Sequence, residues 1–270
     1  MNNEELRQKY NPDGSELRQM QMRMLEMLLC FDRICKKHNI RYWLCSGTLL
    51  GAIRHEGFIP WDDDLDVEVM RDDYKKLMRI LPSELPENYV LQNHDTDPGY
   101  FFCFAKLRDK NSYLEETNRY DRIFTYKGIF IDIFPYEPVP KWIHWLSCQT
   151  FGHIYSIMNN PEYNNQQALR KVNKIYDLNH KFIFPLLRGI GALIPIKLWH
   201  YGLGIPYNND CYVDEIFPLK TAKFEGYDMP VPNDYHSWLT RKFGDYMKLP
   251  NLDDIQSHTC TMKIYNNDKE

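Results

Sequence analysis

Apolar positions recur at helical spacing through "SELRQMQMRMLEMLLCFDRICKKHNI", where Leu17, Met20, Met24, Leu28 and Phe31 fall on one face. Ser15 stands where an N-cap is needed, and Lys36, Lys37 and His38 suit the negative end of the helix dipole. The spacing therefore predicts a long amphipathic helix. "RYWLCS" reads as a short buried strand, and "GTLLGAIRH" as a turn feeding a brief helix ended by Gly57 and Pro60. "DDDLDVEVM" alternates with a period of two. Asp62, Asp64, Asp66 and Glu68 share one face, and Asp63, Leu65, Val67 and Val69 the other, which predicts a strand with an acidic side. "RDDYKKLMRIL" returns to the helical period before a turn at Pro82 and Pro86. "NYVLQN", "YFFCFAKLRD", "SYLEET" and "GIFIDIFPYEPVP" follow as further strands.

From Lys141 the texture changes to helices rich in Trp, Ile and Leu, with a soft boundary at the Pro138–Pro140 turn. The expected division is a core over 1–140, carrying the N-terminal helix, and a mainly helical part over 141–270, the two forming one compact unit. "KFIFPLLRGIGALIPIKLWHY" is expected to form a buried helix pair, with an amphipathic helix lying on a bilayer as the alternative. The predicted class is α+β, a mixed sheet flanked by helices.

Composition narrows the function. The 270 residues are 43% hydrophobic and 14% aromatic, ample for a core and too rich for disorder. A net charge of -4 provides no global basic field, so no nucleic-acid partner is expected. Seven cysteines form no CxxC pair and read as reduced thiols of a cytoplasmic protein. The start, "MNNEELRQKYNPDGSELRQ", lacks an apolar signal core, and no apolar run approaches the roughly 20 residues of a membrane span.

The chemistry gathers around the acidic strand. Carboxylates sharing one strand face repel unless water or a cation screens them. Asp132 adds a lone charge amid Ile129, Phe130, Ile131, Ile133 and Phe134, which carries a desolvation cost unless it is paired. Laid beside the acidic strand, it would let Asp64, Asp66 and Asp132 converge on one point. Hard oxygen ligands of this kind suit Mg²⁺ or Mn²⁺, and a pair of ions can clamp both oxygens of a phosphoryl displacement. Upstream, the backbone N–H groups of Ser46 to Leu49 at a helix start form an anion cradle, to which Thr48 can add a hydroxyl. Each piece has an ordinary reading: Asp-x-Asp pairs are commonly solvated, Gly-Thr commonly caps a helix, and Asp132 could be a satisfied core carboxylate. In strand–turn–helix–strand order they point jointly to transfer of a phosphorus-containing group.

"YWLCSGTLLGAIRHEGFIPWDDDLDV" resembles the signature of the LicD family, whose relatives include fukutin and fukutin-related protein. The likeness resumes at "GIFIDIFPYEPVP" and in "FEGYDMPVPNDYHSWLTRKFGDYMKLP". The resemblance implies a nucleotidyltransferase-like fold and transfer of phosphocholine, or another phospho-alcohol, from a CDP-linked donor to a glycan hydroxyl, with release of CMP. By the same resemblance Gly47 and Thr48, with Ser46, take the phosphate turn, Asp64 and Asp66 the paired metal positions, and Asp132 the third carboxylate. Arg54 and Lys106 are expected to bring positive charge to the phosphates; Asp62 either supports the metal ligands from behind or, as the alternative to metal coordination, helps deprotonate the acceptor hydroxyl. The C-terminal part is expected to complete the acceptor side. Two Mg²⁺ or Mn²⁺ ions, a CDP-alcohol and a glycan acceptor, which can be lipid-linked at the inner face of the membrane, are the partners implied. Two rivals stay open: a nucleotidyltransferase moving NMP from an NTP, and a non-catalytic glycan- or nucleotide-binding protein. His55 reads more readily as a structural hydrogen-bonding group than as a base, and His258 matches a family C-terminal histidine only in part.

Overall fold

The structure is a computed structural model that describes residues 2–116, 119–207, 209–252, 255 and 259–265. Helix α1 (Asn3–Tyr10) opens with a capping box between Asn2 and Glu5. Helix α2 (Glu16–Lys37) is capped as its sequence requires, Ser15 Oγ accepting from Arg18 N–H at 3.1 Å. Its apolar stripe buries Met20, Met24, Leu28 and Phe31 in the main core. Strand β1 (Tyr42–Leu44), helix α3 (Ser46–His55), strand β2 (Asp66–Met70) and helix α4 (Arg71–Glu84) follow. Strands β3 (Tyr89–Gln92), β4 (Ala105–Asp109), β5 (Ser112–Glu116) and β6 (Phe130–Glu137) complete the first half.

The second half contains α5 (Lys141–Asn159), α6 (Asn165–Leu178), a π turn over Asn179–Ile183 and α7 (Phe184–Gly191). Strands β7 (Leu198–Tyr201) and β8 (Cys211–Tyr212) precede α8 (Val213–Ile216), the hairpin β9 (Lys220–Phe224) and β10 (Tyr227–Val231), α9 (Tyr235–Phe243) and β11 (Thr259–Ile264).

The main sheet runs β1-β2-β6-β4-β3, with β7 on β6 and β8 on β7. Strands β2 and β6 are parallel, and the other pairs are antiparallel. This is the mixed, helix-flanked sheet of an α+β protein. Strand β6 lies at its centre, as its apolar run demands, and β7 extends the sheet from the C-terminal half. A second apolar cluster, with Ile143, Phe151, Ile154, Met158, Val172 and Phe184, lies under α5, α6 and α7. Glu137 at the end of β6 joins the two: it is held by Arg188 at 2.7 Å, Arg71 at 3.1 Å and Leu203 N–H at 2.9 Å. The six cysteines whose side chains are described are free thiols. Among the described residues no helix is long and apolar enough to cross a membrane.

Four local expectations are corrected. The stretch 181–201 is not a buried helix pair but the end of the π turn, the single helix α7 and strand β7, and Phe182, Leu186, Ile190 and Leu193 are exposed because α7 packs on the second core with one face only. The acidic segment is a strand only from Asp66, because ladder pairing to β6 begins with Asp66 opposite Asp132; residues 62–65 form a loop. Pro82 does not turn the chain but lies in the last turn of α4, where its missing N–H costs a single bond and Leu85 N–H still reaches Leu81 O at 3.0 Å. Helix α3 ends on Glu56, which takes the left-handed conformation at φ 55°, rather than on Gly57.

His144 on α5 stacks on His200 at 5.5 Å, and burial, followed by that neighbour, lowers its pKa to about 4. The folded chain therefore binds fewer protons there than the unfolded chain between pH 6.5 and 4. Its contribution is complete above pH 6.5 and is lost as pH falls through that window. Acid titration of stability should show a loss of up to about 3 kcal/mol from this group. Chemical denaturation of His144→Gln across the same range should show a correspondingly shallower slope.

Candidate active site

The acidic loop is held from below by two side chains. Buried Gln21 of α2 donates Nε2–H to Asp62 O at 2.8 Å and to Ile59 O at 3.2 Å. Glu225, at the tip of the β9–β10 hairpin, accepts from Phe58 N–H at 3.2 Å and from both amino groups of Arg18, at 3.1 and 2.7 Å. Gly57 leaves room for that carboxylate: a Cβ would lie 2.5 Å from Glu225 Oε1, so a larger residue would make the Glu225 side chain shift. Gly51 of α3 is a tighter constraint: a Cβ would lie 2.4 Å from Gly57 O. Backbone cannot swing aside as a side chain can, so Gly51→Ala should separate α3 from the loop. We expect a stability loss of roughly 2–4 kcal/mol, read by denaturant titration, with activity falling in parallel.

Helix α3 starts abruptly behind β1. Ser46 has φ 50°, in the left-handed region, and the first intrahelical bond is Leu49 N–H to Cys45 O at 2.9 Å. The N–H groups of Ser46, Gly47 and Thr48 therefore precede the helical ladder, at the positive end of the dipole. Thr48 Oγ1 accepts from Asp66 N–H at 2.8 Å, which fastens the cradle to the first residue of β2. The Asp62 carboxylate closes over the same turn, since a Cβ on Gly47 would meet its Oδ2 at 2.7 Å.

Register aligns the charges. Asp66 lies opposite Asp132 across β2–β6, and Asp132 lies opposite Lys106 across β6–β4, so three residues from three strands form one row. Lys106 Nζ is 2.6 Å from Asp132 Oδ1 and 3.3 Å from the Phe130 ring centroid. Burial, then Asp64, Asp132 and Asp62, push the Asp66 carboxyl well above the usual carboxylate range, against a lowering pull from Lys242. Asp62 is raised likewise by burial, Asp64 and Asp63. Glu68, two positions along the same face, is pushed up to about 7 by burial. It receives hydrogen bonds from Trp43 Nε1 at 2.6 Å and from Asn209.

Among the described residues no three His, Cys, Asp or Glu side chains form a closed metal-binding group, and the expected convergence is only partly made. Asp66 and Asp132 are in register and Asp64 acts on Asp66, while Lys106 holds Asp132. The carboxylate oxygens of Asp64, Asp66 and Asp132 are nevertheless of the charge and kind that a divalent ion takes, and their mutual repulsion favours an added cation.

Arg54 lies on the far side of α3. Its Nη1 donates to Tyr246 O at 2.9 Å and its Nε to His55 Nε2 at 2.8 Å, while its charge acts on Asp62. It latches the C-terminal motif to the cradle helix. His55 is neutral, lowered to about 4 by burial and by Arg54. His258 lies outside the described residues.

Sequence reasoning missed Lys242. Its Nζ donates to Ser46 Oγ at 3.0 Å and lies 5.0 Å from the Trp238 ring. With Asn209, Asp210, Trp238 and Arg241 it lines a cavity of about 360 Å³. The signal was the C-terminal stretch "WLTRKFGDYMKLP", noticed as a motif but given no role.

Residues 39–188 match the family described as LicD/FKTN/FKRP, nucleotidyltransferase domain. The chain belongs to the LicD family. It is 31% identical over 261 residues to the lipopolysaccharide cholinephosphotransferase LicD of Haemophilus influenzae, spanning 90% of this chain and 95% of that protein. An uncharacterised protein of Rickettsia typhi is 38% identical over 87 residues, 32% of this chain and 27% of its own. The human ribitol 5-phosphate transferase FKRP is 53% identical over 35 residues, 13% of this chain and 7% of that enzyme. Asp66, Lys106 and Asp132 all fall within the matched residues.

Proposed function

We propose that this LicD-family chain transfers phosphocholine, or a similar phospho-alcohol, from a CDP-linked donor to a hydroxyl of a cell-surface glycan precursor and releases CMP. The observation that carries this reading is the row of buried charges beside the α3 amide turn, in a chain aligned with nearly the whole of a cholinephosphotransferase.

Asp64, Asp66 and Asp132 would hold Mg²⁺ or Mn²⁺, in one or two ions, which supply charge neutralisation at the donor diphosphate. The N–H groups of Ser46, Gly47 and Thr48 bind non-bridging oxygens of the diphosphate, and Lys242 adds a cation at the same turn. Lys106, beside Asp132, balances charge as it shifts in the transition state. Asp62, positioned over Gly47, accepts the proton of the acceptor hydroxyl. The hydroxyl oxygen then bonds to the phosphorus bearing the alcohol, and the bond to CMP breaks with its electron pair leaving on CMP. Positioning and charge carry such a transfer, so no nucleophilic Ser or Cys is needed.

The test incubates the chain with Mg²⁺ and CDP-choline, CDP-ethanolamine, CDP-glycerol or CDP-ribitol, with and without candidate glycans, and follows CMP. Acceptor-dependent CMP release that Asp64→Ala abolishes supports the reading. Pyrophosphate release from NTPs, with CDP-alcohols inert, would replace it with NMP transfer.

A further inference from the structure

The stretch over α6, the π turn and α7 is buried on one side only. Phe184, Leu187 and Gly191 face the second core, whereas Leu178, Phe182, Leu186, Ile190 and Leu193 point to solvent at 53, 68, 65, 38 and 84% exposure. The intervals are four, four, four and three residues, one continuous outward stripe. The end of α7 packs on the start of α5, since a Cβ on Gly191 would sit 3.5 Å from Ile143 Cδ1. That start presents Trp142 and Trp145, 52 and 61% exposed. Large apolar side chains gathered on one face mark an interaction surface rather than ordinary exposure.

Charge identifies the occupant. Residues 141–197 carry seven Lys and Arg against two Asp and Glu, although the whole chain has a net charge of -4. Lys171, Lys174, Lys181 and Lys197 are exposed alongside the stripe. Asp177 is half exposed and pairs with Lys181 at 3.0 Å. Outward Leu and Phe, interfacial Trp and a cationic border match the boundary of an anionic bilayer, where the apolar face enters the headgroup layer and lysines meet lipid phosphates. The helices are too short to span, so the chain would lie on the surface.

We infer that the outer face of α6 and α7, together with the Trp-bearing start of α5, docks the protein on an anionic phospholipid surface. This does not depend on the chemistry proposed above. The experiment co-sediments the full chain with vesicles of mixed phosphatidylglycerol and phosphatidylcholine, and with phosphatidylcholine alone. Wild type should partition onto the anionic vesicles at least about tenfold more strongly, and 0.5 M salt should weaken that binding. Leu186→Glu with Leu193→Glu should lower it by a further factor of about ten while circular dichroism stays unchanged, both side chains being exposed. Equal partition of wild type and variant would overturn the inference. So would a wild-type dimer that the double variant converts to monomer, because a second copy would then cover the stripe.

Discussion

Asp66→Asn should lower CMP release by roughly 10³-fold or more while leaving the melting temperature equal to that of wild type or above it. The two outcomes share one cause. Asp66 is 8% exposed, and its nearest influences are the carboxylates of Asp64, Asp132 and Asp62. Their repulsion makes the ionised side chain a liability for folding, and Lys242 offsets only part of it. Asparagine keeps the size and leaves intact the backbone N–H that Thr48 Oγ1 accepts, yet removes the charge. A residue retained for packing behaves oppositely. Val67, the next residue and fully buried, should lose roughly 1–3 kcal/mol on truncation to Ala. Thermal unfolding and CMP release measured on both variants separate the cases. An Asp66→Asn protein that unfolds early, or that keeps its rate, would remove Asp66 from the chemistry.

What could be seen in the sequence was what local spacing determines. The stripe of α2 and its Ser15 cap are fixed by neighbours three and four residues away, so both were legible. Strand β6 announced itself by its apolar run, and Asp132 by interrupting it. The acidic alternation misled at its N-terminal end, because a period of two gives a potential strand and only a partner makes a ladder. Residues 62–65 have Gln21 and the backbone of Asp132 instead: Asp132 N–H donates to Leu65 O at 2.8 Å. Lys242 was invisible for the converse reason. It meets Ser46 across 196 residues of chain, on a short helix whose position depends on the β9–β10 hairpin and on the latch from Arg54. Strands β7 to β10 span two to five residues each, too few for alternation to register. The charged row was half legible: its members could be named, but their order across three strands is a matter of register.

That order supports a prediction about Lys106. It is 6% exposed, pairs with a 13% exposed Asp132, and caps the row opposite Asp66. In metal-free buffer Lys106→Met should remove the ammonium 2.6 Å from Asp132 and leave that largely buried carboxylate facing Asp66, at a cost of roughly 3–5 kcal/mol. For a chain of this size that is a fall of roughly 10 °C in melting temperature. Added Mg²⁺ should recover more of this loss than it adds to wild type, because the same carboxylate would then be met by the ion in place of the ammonium. The double variant Lys106→Met, Asp132→Asn should regain stability without metal and lose the Mg²⁺ response, since neither that charge nor the ligand remains. Transfer should be reduced about 10–100-fold in the single variant and be undetectable in the double one. Differential scanning of the three proteins with EDTA and with Mg²⁺ reads all of this. If Mg²⁺ stabilises wild type, Lys106→Met and the double variant equally, Asp132 is a structural carboxylate whose partner is the lysine, and the metal must be held elsewhere.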